Sequence, residues 1–466
     1  MANADRKDFI GAEVMLEASY GTLTAEFPAT AWVATVAEVT AAAKGFLPIL
    51  DISGLPTRDL VAVETKKTID DHADLKLLGP EGTQGQITIT TPITGWDTTA
   101  TPVAAPVAPL WLQLAAGACG HLYGEDDAVN RAADEGGAPT TVDSATDADT
   151  FVMTAGGVID GHILGVDSPG ATATGAGDFE LFRPSNAGTL TIASGNIRLS
   201  TAPIATDPVY YSCQAHFASF EEANAPSFAM MIHRADPAAS LFISGMRCVS
   251  WEMTAVIGEI PTISMVFEYN YFEYKNAATT GHWTNYKGFD DFDGGATQWS
   301  QAAADTYNAL WPDPEVTKNA YLISDSGSAR LSYDIASFKA SWTAGYARWN
   351  ANTATYGCAG IYATMPASAS IEFTLLYDED FRSAAAIGGL GSTTDKPWIY
   401  YQGNGPGQTW FVCMPAGQLA SDPGSEGESE GNMAQTLTYE ARPYNGDTDV
   451  VTSGKPANTK FCIGVI

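Results

Sequence analysis

Apolar and polar residues alternate along several short stretches of this chain. The cleanest is Gln86–Thr90, which sets Ile87 and Ile89 on one side and Thr88 and Thr90 on the other. That period of two marks a β-strand with one buried face. Upstream, Ile49, Leu50 and Ile52 form a brief apolar run punctuated by Gly54 and Pro56. Between these strands lies a polar arm, Thr57 to about Leu78, which carries Arg58, Asp59, Glu64, Lys66, Lys67, Asp70, Asp71, His72, Asp74 and Lys76. It has no helical apolar stripe, so the pattern predicts an extended loop reaching away from its own core. Long loops of that kind inside compact domains usually have a task. A surface of mixed charge suits contact with another polar surface, which points to assembly.

Downstream, Pro102, Pro106 and Pro109 delay any helix until Leu110–Ala118. That run is too short to span a bilayer and is expected to pack on a sheet. Residues 126–149 are acidic and rich in Gly, Ala and Thr, the composition of a linker. Short strand signals between Gly and Pro turns fill Phe151–Cys213 and predict a small β-barrel or sandwich insertion. A hairpin around Ala235–Pro237, a strand through Met246–Trp251, a turn at Gly258–Pro261 and a strand at Thr262–Tyr269 follow.

The same order of parts returns near the C-terminus. Phe228–Trp251 parallels Trp398–Ala420, and Thr262–Tyr269 parallels Gln435–Ala441. Ile87–Ile89 with its helix parallels Ile371–Tyr377 followed by Asp380–Ile387. The expected fold class is therefore mainly β, with two tandem β-sandwich or half-barrel domains, each flanked by a helix. The boundaries expected are 1–142 with 214–280 for the first domain, 143–213 for the insertion and 281–466 for the second.

Composition agrees with a turn-rich β protein: 45 Gly and 25 Pro among 466 residues, with 45% hydrophobic residues. The formal net charge of −31 disfavours gripping nucleic acid through its phosphates. On charge alone, a generic acidic surface that keeps the protein soluble explains this as well as any specialised role. The cysteines (Cys119, Cys213, Cys248, Cys358, Cys413, Cys462) show no paired or metal-type spacing, and their apolar contexts predict buried free thiols. MANADRKDF lacks a following apolar core, so no secretory signal is expected there.

Several motifs mimic chemistry. Gly427–Gly431 fits G-x-S-x-G, but Ser429 lies among carboxylates in a stretch leading to a strand, without the strand–turn–helix a nucleophile elbow needs. Gly403–Gly407 resembles a phosphate loop yet has no helix after it, so a tight hairpin turn is expected. Asp290, Asp291 and Asp293 miss the EF-hand spacing. The histidines are scattered. Tryptophans such as Trp111, Trp251, Trp283, Trp299, Trp311, Trp342, Trp349 and Trp410 read as core and interface anchors. No catalytic, cofactor-binding or metal-binding residue is assigned.

Two segments carry a family resemblance. Glu64, Thr65, Asp70, Asp71, Ala73, Lys76 and Gly79, followed by Gly85, Ile87 and Ile89, match an extended "E–T–acidic pair–A–basic–G" loop before a G-x-I-x-I strand. Gln402–Tyr444 matches a closing Gly/Pro turn, a strand ending at Met414–Pro415, an acidic Gly-rich loop and a final strand. This arrangement resembles the major tail tube proteins of long-tailed, siphovirus-type bacteriophages, in the variety with two fused tube domains per chain. The resemblance implies a structural subunit, not an enzyme and without cofactors, that self-associates into trimeric, pseudo-hexameric stacked rings. The arm named above would make the inter-ring contacts. The implied partners are the tape measure, tail terminator and tail tip proteins, with viral DNA crossing the lumen unbound. The implied location is the virion tail, after assembly in the host cytoplasm. The rival readings are a β-rich, adhesin-like surface protein and a carbohydrate-active enzyme, the latter needing two convergent carboxylates.

Overall fold

A computed structural model describes residues 9–16, 46–56, 61–66, 73–78, 85–95, 109–123, 140–154, 161–167, 179–184, 191–218, 227–234, 240–256, 258–275, 320–325, 330–350, 358–376, 395–403, 408–421, 427–429, 432–444 and 459–466. The protein is mainly β, with one helix among the described residues. One sheet runs the length of the chain, and we call it the inner sheet. Its strand order is Asp51–Ser53, Gly85–Pro92, Thr262–Tyr269, Ser240–Val256, Ile335–Asn350, Cys358–Leu376, Asn432–Ala441, Trp410–Ser421. Every neighbouring pair in it is antiparallel.

The first four of these strands belong to one repeat and the last four to another. Each repeat adds an outer sheet. In the first its order is Phe46–Pro48, Phe9–Leu16, Phe228–Arg234, the opening half of Ser240–Val256, and Tyr271–Lys275. In the second the corresponding order is Arg330–Tyr333, Ala320–Asp325, Lys396–Gln402, the opening half of Trp410–Ser421, and Phe461–Val465. The two lists match strand for strand. In each repeat a long strand starts in the outer sheet and finishes in the inner one. Both long strands bulge soon after the crossing, between Cys248 and Ser250 and between Leu419 and Ser421. A bulge re-aims a strand and sharpens its twist, as a strand shared by two layers requires. The sequence pattern ended the second long strand at Met414–Pro415, whereas it continues to Ser421.

The layers pack as a sandwich. Thr262–Tyr269 buries Ile263, Met265, Phe267 and Tyr269 and turns Thr262, Ser264, Val266 and Glu268 the other way. The buried set meets Val14, Met230 and Ile243 of the outer sheet in one apolar core. The helix Leu110–Ala116 is buried along its whole length, with the Trp111 indole donating to the carbonyl of Thr94 at 2.9 Å. Gly120, just beyond it, has no room for a side chain: an added Cβ would sit 2.8 Å from both Ala116 and the Phe217 ring.

A closed barrel of six strands occupies Thr140–Tyr211. It interrupts the chain between Gly120–Tyr123 and Cys213–Phe217, which pair with each other. Cys213–Phe217 pairs with Phe461–Val465 and so extends the outer sheet of the second repeat rather than the first. Ile163, Phe179, Leu181 and Ile197 of the barrel pack on Ile323, Ile399, Phe411 and Cys462 of that sheet. The barrel therefore sits on the side of the second repeat away from the inner sheet. The segment expected to form a second helix, Asp380–Ile387, and the expected split near Asn276–Gly281 lie outside the described residues.

The repeats meet where Ser250–Val256 pairs with Ser337–Thr343. Trp251 and Trp342 face each other across this seam, and Phe217 and Phe461 close around them with ring centroids 5.2–6.4 Å apart. The Trp342 indole donates to the carbonyl of Ala118 at 2.6 Å. Truncating a large core aromatic removes its burial and leaves a cavity, at a cost of about 3–5 kcal/mol. Trp342→Ala should lower unfolding stability by that amount. Trp349→Ala, at a side chain 65% exposed, should change it by under about 0.5 kcal/mol. Chemical denaturation of both variants checks this.

Candidate assembly interface

The solvent side of the inner sheet is a field of small polar residues. Gln86, Thr88 and Thr90 lie beside Ser264 and Glu268, then Ser250, Glu252 and Thr254, then Lys339, Ser341 and Thr343. Ser368, Ser370, Glu372 and Thr374 continue the row to Thr436, Thr438 and Glu440. Directly opposed hydroxyls satisfy one another: Thr90 with Ser264 at 3.1 Å, Ser341 with Ser370 at 2.8 Å and Thr374 with Thr436 at 2.9 Å. Such cross-strand pairs steady a sheet.

Carboxylates at Asp51, Glu252, Glu268, Glu372 and Glu440 share this face with the cations Arg247 and Lys339, while Arg348 pairs with Glu268 and Lys460 interacts electrostatically with Glu440. Lys339 is bound to Glu252 at 2.8 Å. Arg247 lies 5.6 Å over the Tyr346 ring and donates to the carbonyl of Ile361. The cations are thus occupied within the protein, and the face is left acidic.

Among the described residues the inner sheet ends at each side in a strand with a single neighbour, Asp51–Ser53 at one and Gln418–Ser421 at the other. Open strand edges invite pairing with another chain. The first is flanked by apolar side chains that are incompletely covered, with Leu50 52% exposed and Ile52 and Leu55 partly buried.

The polar arm is not the extended loop expected of it. Val61–Lys66 and Ala73–Leu78 form an antiparallel hairpin, Val61 opposite Leu78 and Lys66 opposite Ala73, that pairs with no other described strand. The sequence holds the signal for this in the alternation of VAVETK and ADLKLL, which the density of charge obscured. Glu64, Lys66, Asp74 and Lys76 lie on the hairpin strands. Arg58, Asp59, Lys67, Asp70, Asp71 and His72 lie outside the described residues.

The second repeat carries a matching arm that sequence reasoning missed. Ile335–Asn350 and Cys358–Leu376 run on beyond the inner sheet as one hairpin, bulged between Thr343 and Tyr346. This arm lies on the first repeat. Arg348 donates to the carbonyls of Gly85 and Tyr269 at 3.2 and 3.3 Å and pairs with Glu268 at 3.4 Å. The Tyr346 hydroxyl donates to the carbonyl of Gly117 at 3.2 Å, and burial pushes its pKa far up. The unbroken strand pattern through Gly345–Asn350 was the available clue.

Ser429 is on the short strand Gly427–Ser429, opposite Asn432, and the strand Asn432–Ala441 follows it. Gly403 follows a strand whose last residue, Gln402, pairs with Trp410, so the glycine stretch joins an antiparallel hairpin. Asp290, Asp291, Asp293, Trp283, Trp299 and Trp311 lie outside the described residues. Cys119, Cys213, Cys248, Cys413 and Cys462 are buried and outside any disulfide, and desolvation raises the pKa of the Cys248 thiol. No protein-family model and no curated protein matches the chain.

Neighbouring residues on one strand test the assignment of faces. Thr438→Lys points into solvent and should cost under about 0.5 kcal/mol. Leu437→Lys puts an unpaired charge into the core and should prevent a cooperative transition. Thermal melts followed by circular dichroism separate the two outcomes, and equal tolerance would refute the assignment.

Proposed function

We propose that this chain is the structural subunit of a viral tail tube, polymerising into stacked rings that form a conduit for genome delivery. The observation that carries the reading is the inner sheet. Two sandwich repeats are fused edge to edge into one continuous sheet, and an open edge remains at each end. A head-to-tail contact of this kind between copies is heterologous, and it closes into a ring if the rotation per chain allows. Repeating the Ser250–Val256 to Ser337–Thr343 seam between chains would extend the sheet into a closed inner wall and leave no edge exposed. Three chains with two repeats each give a ring with six similar positions.

The polar face then lines the lumen. Its paired hydroxyls and surplus carboxylates present few contacts to a passing polyanion. No catalysis is needed for such a role. The tape measure, terminator and tip proteins named by the resemblance would meet this tube along its lumen and at its ends. The barrel, on the opposite side of the second repeat, would decorate the exterior three times per ring.

Negative-stain microscopy of the purified protein should show tubes or rings, and class averages should show three external bumps. Monodisperse monomers under all conditions, or six identical subunits per ring, would refute the reading. Deleting Lys66–Lys76 should preserve a cooperative melt and abolish tubes. A charge test addresses the lumen. Thr254→Lys, Thr343→Lys and Thr438→Lys together should make the assemblies retain double-stranded DNA, with binding that weakens as salt rises. Unaltered assemblies should retain none. Indifference of both to DNA would place this face away from the lumen.

A further inference from the structure

We propose that the first arm of one copy seats on the second repeat of a neighbouring copy, in the way the second arm seats on the first repeat within the chain. The inference rests on the tube reading and gives the first arm, which the resemblance would assign to contacts between rings, a lateral contact between chains, on a seat that has no assigned role.

The argument is one of register. Asp51 opposes Thr90 in the first repeat, and Ser337 opposes Thr374 in the second. Val61 lies as far beyond Asp51 as Ala347 lies beyond Ser337. Leu78 lies as far before Gln86 as Tyr362 lies before Ser370, and Gln86 and Ser370 oppose Glu268 and Glu440. Val61 pairs with Leu78, Ala62 with Leu77 and Val63 with Lys76. Ala347 pairs with Tyr362, Arg348 with Ile361 and Trp349 with Gly360. The arms therefore match over these three pairs on both strands, before a bulge between Trp349 and Asn350 shifts the second, even though the first is a separate hairpin and the second is continuous with the sheet.

The seats correspond as well. Where the second arm lies on the first repeat, Tyr269 and Asn270 are each 3% exposed and Glu268 is half-buried. At the same place in the second repeat, Ala441 is half-buried while Glu440 and Arg442 are exposed. One arm and one bare seat thus remain, at opposite ends of the same chain. They lie beside the two open edges of the inner sheet, the first arm next to Asp51–Ser53 and the seat next to Gln418–Ser421. A second copy joined head to tail brings both pairs together at once.

The sequences of the two seats also differ in a way that suits their settings. Arg348, which reaches Glu268 within the chain, has Ala62 at its matching position. Glu440 therefore has no guanidinium waiting at the equivalent point, and the contact between chains is the less firmly bonded of the two. Within a chain the seam is permanent. Between chains it forms on assembly.

The test uses the full chain with Ala62→Cys and Glu440→Cys together, treated with a short bis-maleimide under conditions that give tubes. The expected product is a covalent ladder of dimers and trimers on denaturing gels, with the 62–440 crosslink identified by mass spectrometry. Each single-cysteine variant should remain a monomer band, because the described native thiols are buried. The same samples are imaged. Tubes or rings without the 62–440 product would overturn the seat and leave the proposed function standing. Absence of any assembly in the unmodified protein would overturn the function, and the seat with it.

Discussion

The structure depends on one seam, the pairing of Ser250–Val256 with Ser337–Thr343. Without it the chain would be two sandwiches on a tether. With it, backbone hydrogen bonds run through eight strands without a break. The seam is more than a row of backbone contacts, because Trp251, Trp342, Phe217 and Phe461 bury their rings behind it. Buried aromatics of this size contribute strongly through area and ring geometry. Phe217 comes from the strand that follows the barrel and Phe461 from the closing strand, so distant parts of the sequence converge on one place. The first repeat, the second repeat and the return from the insertion share one core at this point.

Much of the fold was legible in the sequence because strands declare themselves by alternation. Thr262–Tyr269 runs over the residues expected, and the paired repeat of Phe228–Trp251 with Trp398–Ala420 reappears as matched hairpins. What the sequence concealed were features set by tertiary pairing. The second long strand passes through Pro415, which reads locally as a stop, and it persists because Gly417–Ser421 finds a partner in Thr438–Ala441. Cys213–Phe217 follows the barrel directly in sequence, but the partner that claims it, Phe461–Val465, lies at the far end of the chain.

The candidate interface was read only in part. The first arm was recognised by its charge, and that same charge hid its hairpin, since alternation in VAVETK and ADLKLL is weak beside so many ionisable groups. The second arm has fewer charges and drew no separate reading from the sequence. Its kinship with the first is visible only once registers are compared. Arg348 and Tyr346 had no local signal, because what distinguishes them is the carbonyls they reach on another repeat. The acidic face could not be assigned to particular residues without the pairing, since a slip of one residue exchanges the two faces of a strand.

The two long strands, each shared by both sheets, have a mechanical consequence. Layers of an ordinary sandwich are joined by side chains and loops, and they can shear past one another when loaded. Here Ser240–Val256 and Trp410–Ser421 carry the covalent backbone from one layer straight into the other. A sideways force on either wall is borne by bonds along the chain rather than by packing alone. A cylinder built from such units would resist torsion and flattening in proportion to its number of shared strands, and its bore would keep its width while its axis bent.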